Sequence, residues 1–123
     1  VALGHNAAVM SQTIELPPFL ADCSEVEVVF RFDPDSFEQG YEYPPNLEDL
    51  LRTAVSSNHE LFAGRCVIID LQNLPAISSK QLGAMLAVRK AACPTSRVPI
   101  RNLRPNVREL LLVTKLGDFF EWR

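Results

Sequence analysis

The stretch Arg65-Cys-Val-Ile-Ile-Asp-Leu-Gln-Asn-Leu-Pro-Ala-Ile-Ser-Ser-Lys-Gln-Leu-Gly-Ala-Met-Leu-Ala-Val-Arg-Lys-Ala-Ala92 decides how this chain folds. Its unbroken apolar run, Cys66 to Ile69, reads as a strand buried on both faces, as in a parallel sheet. Leu82, Met85, Leu86 and Arg89 then recur at i, i+3, i+4 and i+7, the spacing of a helix with one packed face. Ser78 and Ser79 lie between the two, at the strand-to-helix turn where α/β sheets place their working groups.

Working back from that core, Leu47, Leu50, Leu51, Ala54 and Val55 predict an amphipathic helix. Asn46 reads as its N-cap, with Asp49 as a box-like partner, and the pattern fades at Ser56-Ser57-Asn58. The acidic and aromatic segment 33–45 ahead of it reads as a long turn-rich loop. Glu25 to Phe32 alternates, with Val26, Val28, Phe30 and Phe32 facing one way, which predicts a half-exposed strand near a sheet edge. Thr13 to Leu16 is a short strand stopped by Pro17-Pro18.

Working forward, Cys93-Pro94 breaks the periodicity and Arg97 to Leu103 reads as a strand with Val98 and Ile100 inward. Pro99 predicts that one edge of this strand is unpaired. Pro105 suits the first position of a third helix, which runs through Val107, Leu110, Leu111 and Thr114 with Gly117 as its C′ residue. Phe119, Phe120 and Trp122 must pack or add a last strand. The order β-β-α-β-α-β-α plus a short end predicts an α/β fold. Its mixed sheet has about four to five strands, with helices mainly on one face.

The 123 residues, 47% of them hydrophobic, suffice for one core. A single domain over residues 11–123 is expected, with residues 1–10 as a flexible or vector-derived N-terminus. No window approaches the roughly 18 apolar residues of a membrane helix, so membrane insertion is not expected. Cys23, Cys66 and Cys93 are widely spaced and form no CxxC pair. They read as buried or half-buried reduced thiols of a cytoplasmic protein. Residues 1–79 hold 3 Lys/Arg against 12 Asp/Glu, whereas residues 80–123 hold 9 against 3. Folding is expected to interleave the two halves and blur that asymmetry.

Enzyme constellations are largely missing. There is no GxxxxGK[ST] and no GxGxxG, so no phosphate-cradling loop and no nucleotide cofactor are expected. His5 falls in the N-terminal segment, and His59 reads as a solvated residue beyond a helix end. No Ser-His-Asp or Cys-His set is therefore supported. Asp33, Asp35, Glu38 and Glu42 lack calcium-loop spacing and read as a solvated acidic loop, so no metal is expected. Asp70, ending the central strand, reads as an acceptor for backbone N–H groups of the next loop. Arg89, Lys90, Arg97, Arg101, Arg104 and Arg108 raise nucleic-acid binding. A sequence pI near 5.3 and the absence of interleaved aromatics speak against it.

Asp70-Leu71 followed by Ser78-Ser79-Lys80-Gln81-Leu82-Gly83, with Leu111, Leu116 and Phe119-Phe120 downstream, resembles the STAS domain. That family occurs in anti-sigma factor antagonists and in the cytoplasmic tails of sulfate transporters. The resemblance covers roughly residues 65–120 and implies a sheet flanked by helices. It also implies a non-enzymatic module that binds a kinase-type anti-sigma factor and is switched by phosphorylation at Ser79.

The chain departs from the family motif at three positions. Ser78 stands where the family has Asp, Lys80 replaces Ser/Thr, and Gln81 replaces Gly. Ser78 with Gln81 spells an S-x-x-Q capping box, which leaves the Ser79 hydroxyl free to face outward. A phosphate there would meet the positive end of the helix dipole, so its effect would fall on a partner. Lys80 would offset part of the added charge. Asp33, Asp35, Phe37, Tyr41 and Tyr43 are expected at the same end of the sheet, as an extension of the docking surface. The altered motif also fits a constitutive STAS adaptor subunit of a membrane transport system that is not phosphorylated.

Overall fold

The six strands lie in the sheet in the order in which they occur in the chain. They are β1 (Gln12–Leu16), β2 (Phe19–Cys23), β3 (Glu27–Phe32), β4 (Cys66–Asp70), β5 (Val98–Arg101) and β6 (Phe120–Glu121). The computed structural model describes residues 12–122, so the expectation for residues 1–10 lies outside the described residues. β1, β2 and β3 form an antiparallel meander, and β3 to β6 are parallel. The parallel connections carry α1 (Leu47–Ser57), α2 (His59–Phe62), α3 (Ser79–Ala92) and α4 (Pro105–Val113). Every crossover steps in the same direction along the sheet. Right-handed connection therefore sets these helices on a single face.

The side chains agree with that placement. Phe19, Ala21 and Cys23 of β2, Val28, Phe30 and Phe32 of β3, Val67 and Ile69 of β4, and Val98 and Ile100 of β5 share one face and are buried. Phe19 packs on Phe30 edge to face, with ring centroids 5.6 Å apart. The opposite face carries Asp22, Glu27, Arg31, Asp70 and Arg101, and no helix among the described residues covers it. Ile68 lies on this open face yet is only 8% exposed. Arg101 Nη2 reaches across β4 to Glu27 Oε2 at 3.2 Å, and the bridged side chains lie over the strand position that Ile68 occupies. A polar strap thus replaces a helix as cover for an apolar side chain.

Several expectations are corrected. The sheet has one strand more than the upper estimate, because Phe19–Cys23 follows Pro17-Pro18 directly; its alternation is masked by small Ala21 and Cys23. β3 is an interior strand paired on both sides, and it is half exposed because one whole face of the sheet is open. β5 is flanked on both sides too: β6 pairs at Val98 and Pro99, whereas β4 pairs at Ile100 and Arg101. Asn46 precedes α1 but makes no side-chain cap bond, its ψ of 40° falling outside the extended conformation that a capping side chain needs. Asp49 instead faces Arg52 at 3.6 Å.

Past α1 the chain makes a further short helix, so His59 opens a helical turn rather than trailing a helix end. α3 packs through Ala84, Met85, Ala87 and Val88, with Leu82 and Leu86 only partly buried at the margins. The residue after α4 with positive φ is Lys115 (58°), not Gly117. Leu116 N–H donates to Leu111 carbonyl oxygen at 3.4 Å and Lys115 N–H to that of Leu112 at 3.2 Å. This is a Schellman motif, and burying Leu116 against Leu111 forces Lys115 into the left-handed position. Cys66 is exposed, since it begins β4 on the open face.

The chain halves do not interleave. Sequential strand order leaves β1, β2, β3 and α1 at one side of the sheet and β5, α4 and β6 at the other. The charge asymmetry of the sequence therefore survives folding as an acidic side and a basic side. Lys90–Glu48 (4.0 Å) and Arg101–Glu27 (3.2 Å) bridge the boundary between them.

Candidate functional site

Ser79 is the first residue of α3 and is exposed. The turn before it is held by Ser78, whose Oγ accepts from Gln81 N–H at 3.3 Å while Gln81 Oε1 accepts from Ser78 N–H at 2.8 Å. The capping box is therefore complete without Ser79. Lys80 is exposed beside it, and Gly83, one turn on, is exposed with open space where a Cβ would stand.

The loop that delivers Ser79 is fastened at nearly every residue. Asp70 Oδ1 accepts from Gln72 N–H at 2.8 Å, as its place at the end of β4 suggests. Asn102 Nδ2 donates to both oxygens of the same carboxylate, at 3.1 and 3.2 Å. Leu71 N–H donates to the Arg101 carbonyl oxygen at 3.0 Å, and Leu71 and Leu74 are buried. Asn73 Nδ2 reaches the Phe32 carbonyl oxygen (3.2 Å), Arg104 Nη2 that of Gln72 (3.3 Å), and Asn106 Nδ2 that of Pro75 (2.8 Å). These bonds tie the loop to β3 on one side and to the start of α4 on the other. Asn102, Asn106 and Asn73 had no assigned role in the sequence, and Arg104 was weighed only as a nucleic-acid contact. The signal for three of them was the cluster Asn102-Leu-Arg-Pro-Asn106, which follows a strand that ends at the same end of the sheet as Asp70.

The acidic-aromatic loop does sit at this end, because β3 and β4 are parallel and both leave the sheet there. Asp33 Oδ1 caps the short 3₁₀ turn Pro34–Phe37 through Asp35 N–H at 3.0 Å, and Ser36 Oγ donates to the Asp33 carbonyl oxygen at 2.7 Å. Phe37 is 40% exposed, with its ring 6.4 Å from that of Phe32. Tyr41 and Tyr43 meet edge to face at 5.5 Å. Burial raises the Tyr41 phenol pKa, and the charges of Asp33 and Asp35 raise it further. Burial also raises the Tyr43 phenol, outweighing the polar side chains Ser36 and Gln81 close to it.

Gln81 thus touches both halves of the site: its carboxamide caps the Ser79 turn and lies near Tyr43. Asp33, Asp35, Phe37, Tyr41 and Tyr43 lie at the same end of the sheet as the Ser79 turn. This end is acidic and aromatic on one flank and basic, through Lys80 and Arg104, on the other. It offers no nucleophile paired with a base. Among the described residues, no group of three or more His, Cys, Asp or Glu is arranged to hold a metal ion. No helix among them is long and apolar enough to cross a membrane. The arrangement defines a mixed-sheet α/β domain. No family model, no curated protein and no solved structure matches the chain.

Proposed function

We propose that this chain is a non-enzymatic, cytoplasmic protein-binding module of the STAS type. It acts as an anti-sigma factor antagonist and docks a kinase-type anti-sigma factor through the surface around Ser79. The observation that carries the reading is the division of labour at the turn. Ser78 and Gln81 do the capping, and Ser79 stands exposed at the start of α3, directly after a loop braced from both sides. A phosphate on Ser79 adds about −1.5 to −2 charges without breaking any bond that holds the fold. It would lie at the same end of the sheet as Asp33, Asp35 and the two tyrosines, and the partner would meet it as a charge change.

Calorimetric titration of the domain with a kinase-type anti-sigma factor tests this. Wild type binds, and Ser79→Asp and Ser79→Glu each weaken binding by roughly tenfold or more. Equal affinity of the three proteins removes the switch, and no binding by any of them removes the reading.

One observation favours a second reading of the same fold, a constitutive adaptor subunit of a membrane transport system. Lys80 adjoins Ser79, and the Gln81 side chain fills the place where the family motif has none. On that reading, incubation with the kinase and ATP leaves the mass of the domain unchanged.

A further inference from the structure

Two surfaces at opposite sides of the sheet take no part in the site around Ser79, and they complement each other. The first is a groove of about 220 Å³ between the β1–β2 turn and the start of α1. Leu16, Pro17, Pro44, Leu47 and Leu50 line it, and Glu15 is its charged wall. Leu50 is 47% exposed there. Segments 12–30 and 33–51, which build this side of the molecule, contain no Lys or Arg. Among the described residues, Glu15 and Glu42 make no ion pair. The groove is apolar inside and uncompensated acid outside.

The second surface is the outer face of α4. This helix spends Val107 and Leu111 on the core, yet it also carries Leu112 at 56% and Val113 at 73% exposure. Pro105, Arg108, Glu109 and Leu112 line a shallow depression of about 380 Å³ on that face. Segment 105–115, the helix and its cap, holds Arg108 and Lys115 against the single acid Glu109. Among the described residues, Arg108 and Lys115 make no ion pair. An aliphatic ridge edged with unspent cations is the shape and charge that the groove lacks.

We infer that the two surfaces belong to one contact, in which the α4 ridge of one copy of this chain docks in the β1–α1 groove of the next. Burying exposed Leu112 and Val113 against Leu50 and its neighbours supplies the attraction. The opposed charges fix orientation and speed encounter. The patches differ and lie at opposite sides of the sheet, so the contact is head to tail. It repeats along a chain of copies or closes a ring of more than two, and it does not form a closed two-fold dimer. The contact uses neither Ser79 nor its turn, so it stands or falls independently of the proposed switch.

Sedimentation velocity of the full 123-residue chain tests it, with wild type, Leu50→Lys and Leu112→Glu run over a range of concentrations at low and high salt. Both substituted side chains are exposed, and unchanged thermal midpoints show that the folds are intact. Wild type should form species larger than a dimer as concentration rises, and high salt should reduce them. Each variant alone should sediment as a monomer. An equimolar mixture should form a dimer and nothing larger, because Leu50→Lys keeps an intact ridge and Leu112→Glu an intact groove. Wild type that stays monomeric or stops at a dimer overturns the inference. So does a variant that still assembles alone, or a mixture that remains monomeric.

Discussion

Ser78 and Gln81 each satisfy the other's backbone, with bonds of 3.3 Å to the Ser78 hydroxyl and 2.8 Å to the Gln81 carboxamide oxygen. Two of the unpaired N–H groups that open α3 are thereby settled. Ser78→Ala should therefore cost about 1 kcal/mol, within the usual 0.5–2 for a lost cap, and Ser78→Asp should cost little. Ser79→Ala removes a hydroxyl that makes no hydrogen bond among the described residues and should stay within about 0.5 kcal/mol of wild type. Urea denaturation of the three variants measures this. A Ser79→Ala loss equal to that of Ser78→Ala would mean the two serines share the structural task.

An acid at position 79 is a separate matter. It sits at the N-terminal turn of a helix with no acidic residue there, where negative charge meets the positive end of the dipole. Ser79→Glu should hold stability level or raise it by about 0.3–1 kcal/mol at low salt, with the gain shrinking as salt is added. Thermal melts at two ionic strengths suffice. A clearly lowered midpoint would show that charge at this position acts by unfolding the turn.

On the open face of the sheet, Arg31 Nε donates to Asp22 Oδ2 at 2.7 Å, and Thr13 Oγ1 donates to Asp22 Oδ1 at 2.8 Å. Burial pushes the Asp22 pKa upward. The hydrogen bonds from Arg31 and Thr13, with the Arg31 charge, outweigh it and bring the pKa below its ordinary value. A depressed carboxylate pKa stabilises the fold above the unfolded-state pKa, and that contribution is lost as pH falls through the folded-state value. Both side chains are more than a third exposed, so solvent screening holds the effect below about 1 kcal/mol. Asp22→Asn should therefore lose less stability than wild type between pH 5 and the acid limit of folding. Parallel urea midpoints across that range would show two superimposable curves if the pair contributes nothing.

What the sequence disclosed follows from where each signal is written. Cys66 to Ile69, Leu47 to Val55 and the Ser78–Gln81 box are local patterns, and each became the element it spelled. β2 escaped because Phe19-Leu-Ala-Asp-Cys23 has a weak apolar alternation, and only its pairing with β1 and β3 makes it a strand. The position of β3 in the sheet and the left-handed Lys115 are set by partners distant in sequence or by the burial of Leu116, which no window displays. The same holds at the site. Asp70 could be assigned from its place at a strand end, whereas Asn102, Arg104 and Asn106 act across a gap of more than thirty positions, as in the Asn102–Asp70 bond with its separation of 32. The separation of acidic from basic halves was written in the composition. Sequential strand order preserved it.

The thiols differ in what surrounds them. Burial raises the pKa of Cys23 and of Cys93, whereas Cys66 is exposed at the start of β4. A thiol held protonated and covered reacts slowly. An aromatic disulfide reagent at pH 7.5 should thus label one cysteine fast and two slowly in the native protein, and Cys66→Ser should remove the fast phase alone. Equal rates for all three thiols would contradict this packing.

Tyr43 closes the space between the acidic-aromatic loop and α3 with a hydroxyl that is buried and makes no hydrogen bond. Ser36, whose hydroxyl donates to the Asp33 carbonyl oxygen at 2.7 Å, and Gln81, whose Oε1 accepts from Ser78 N–H at 2.8 Å, lie close to it without bonding it. An unpaired buried hydroxyl costs free energy, so the ring rather than the oxygen holds this contact. Tyr43→Phe should leave stability unchanged or raise it by up to about 1 kcal/mol. Tyr43→Ala, which empties the contact, should lower it by about 2 kcal/mol for a half-buried ring. Urea denaturation compares the two. A substantial loss in Tyr43→Phe would mean that the hydroxyl does bind, through water or a shifted Gln81, and that the loop and the Ser79 turn are joined by a polar link instead of an apolar one.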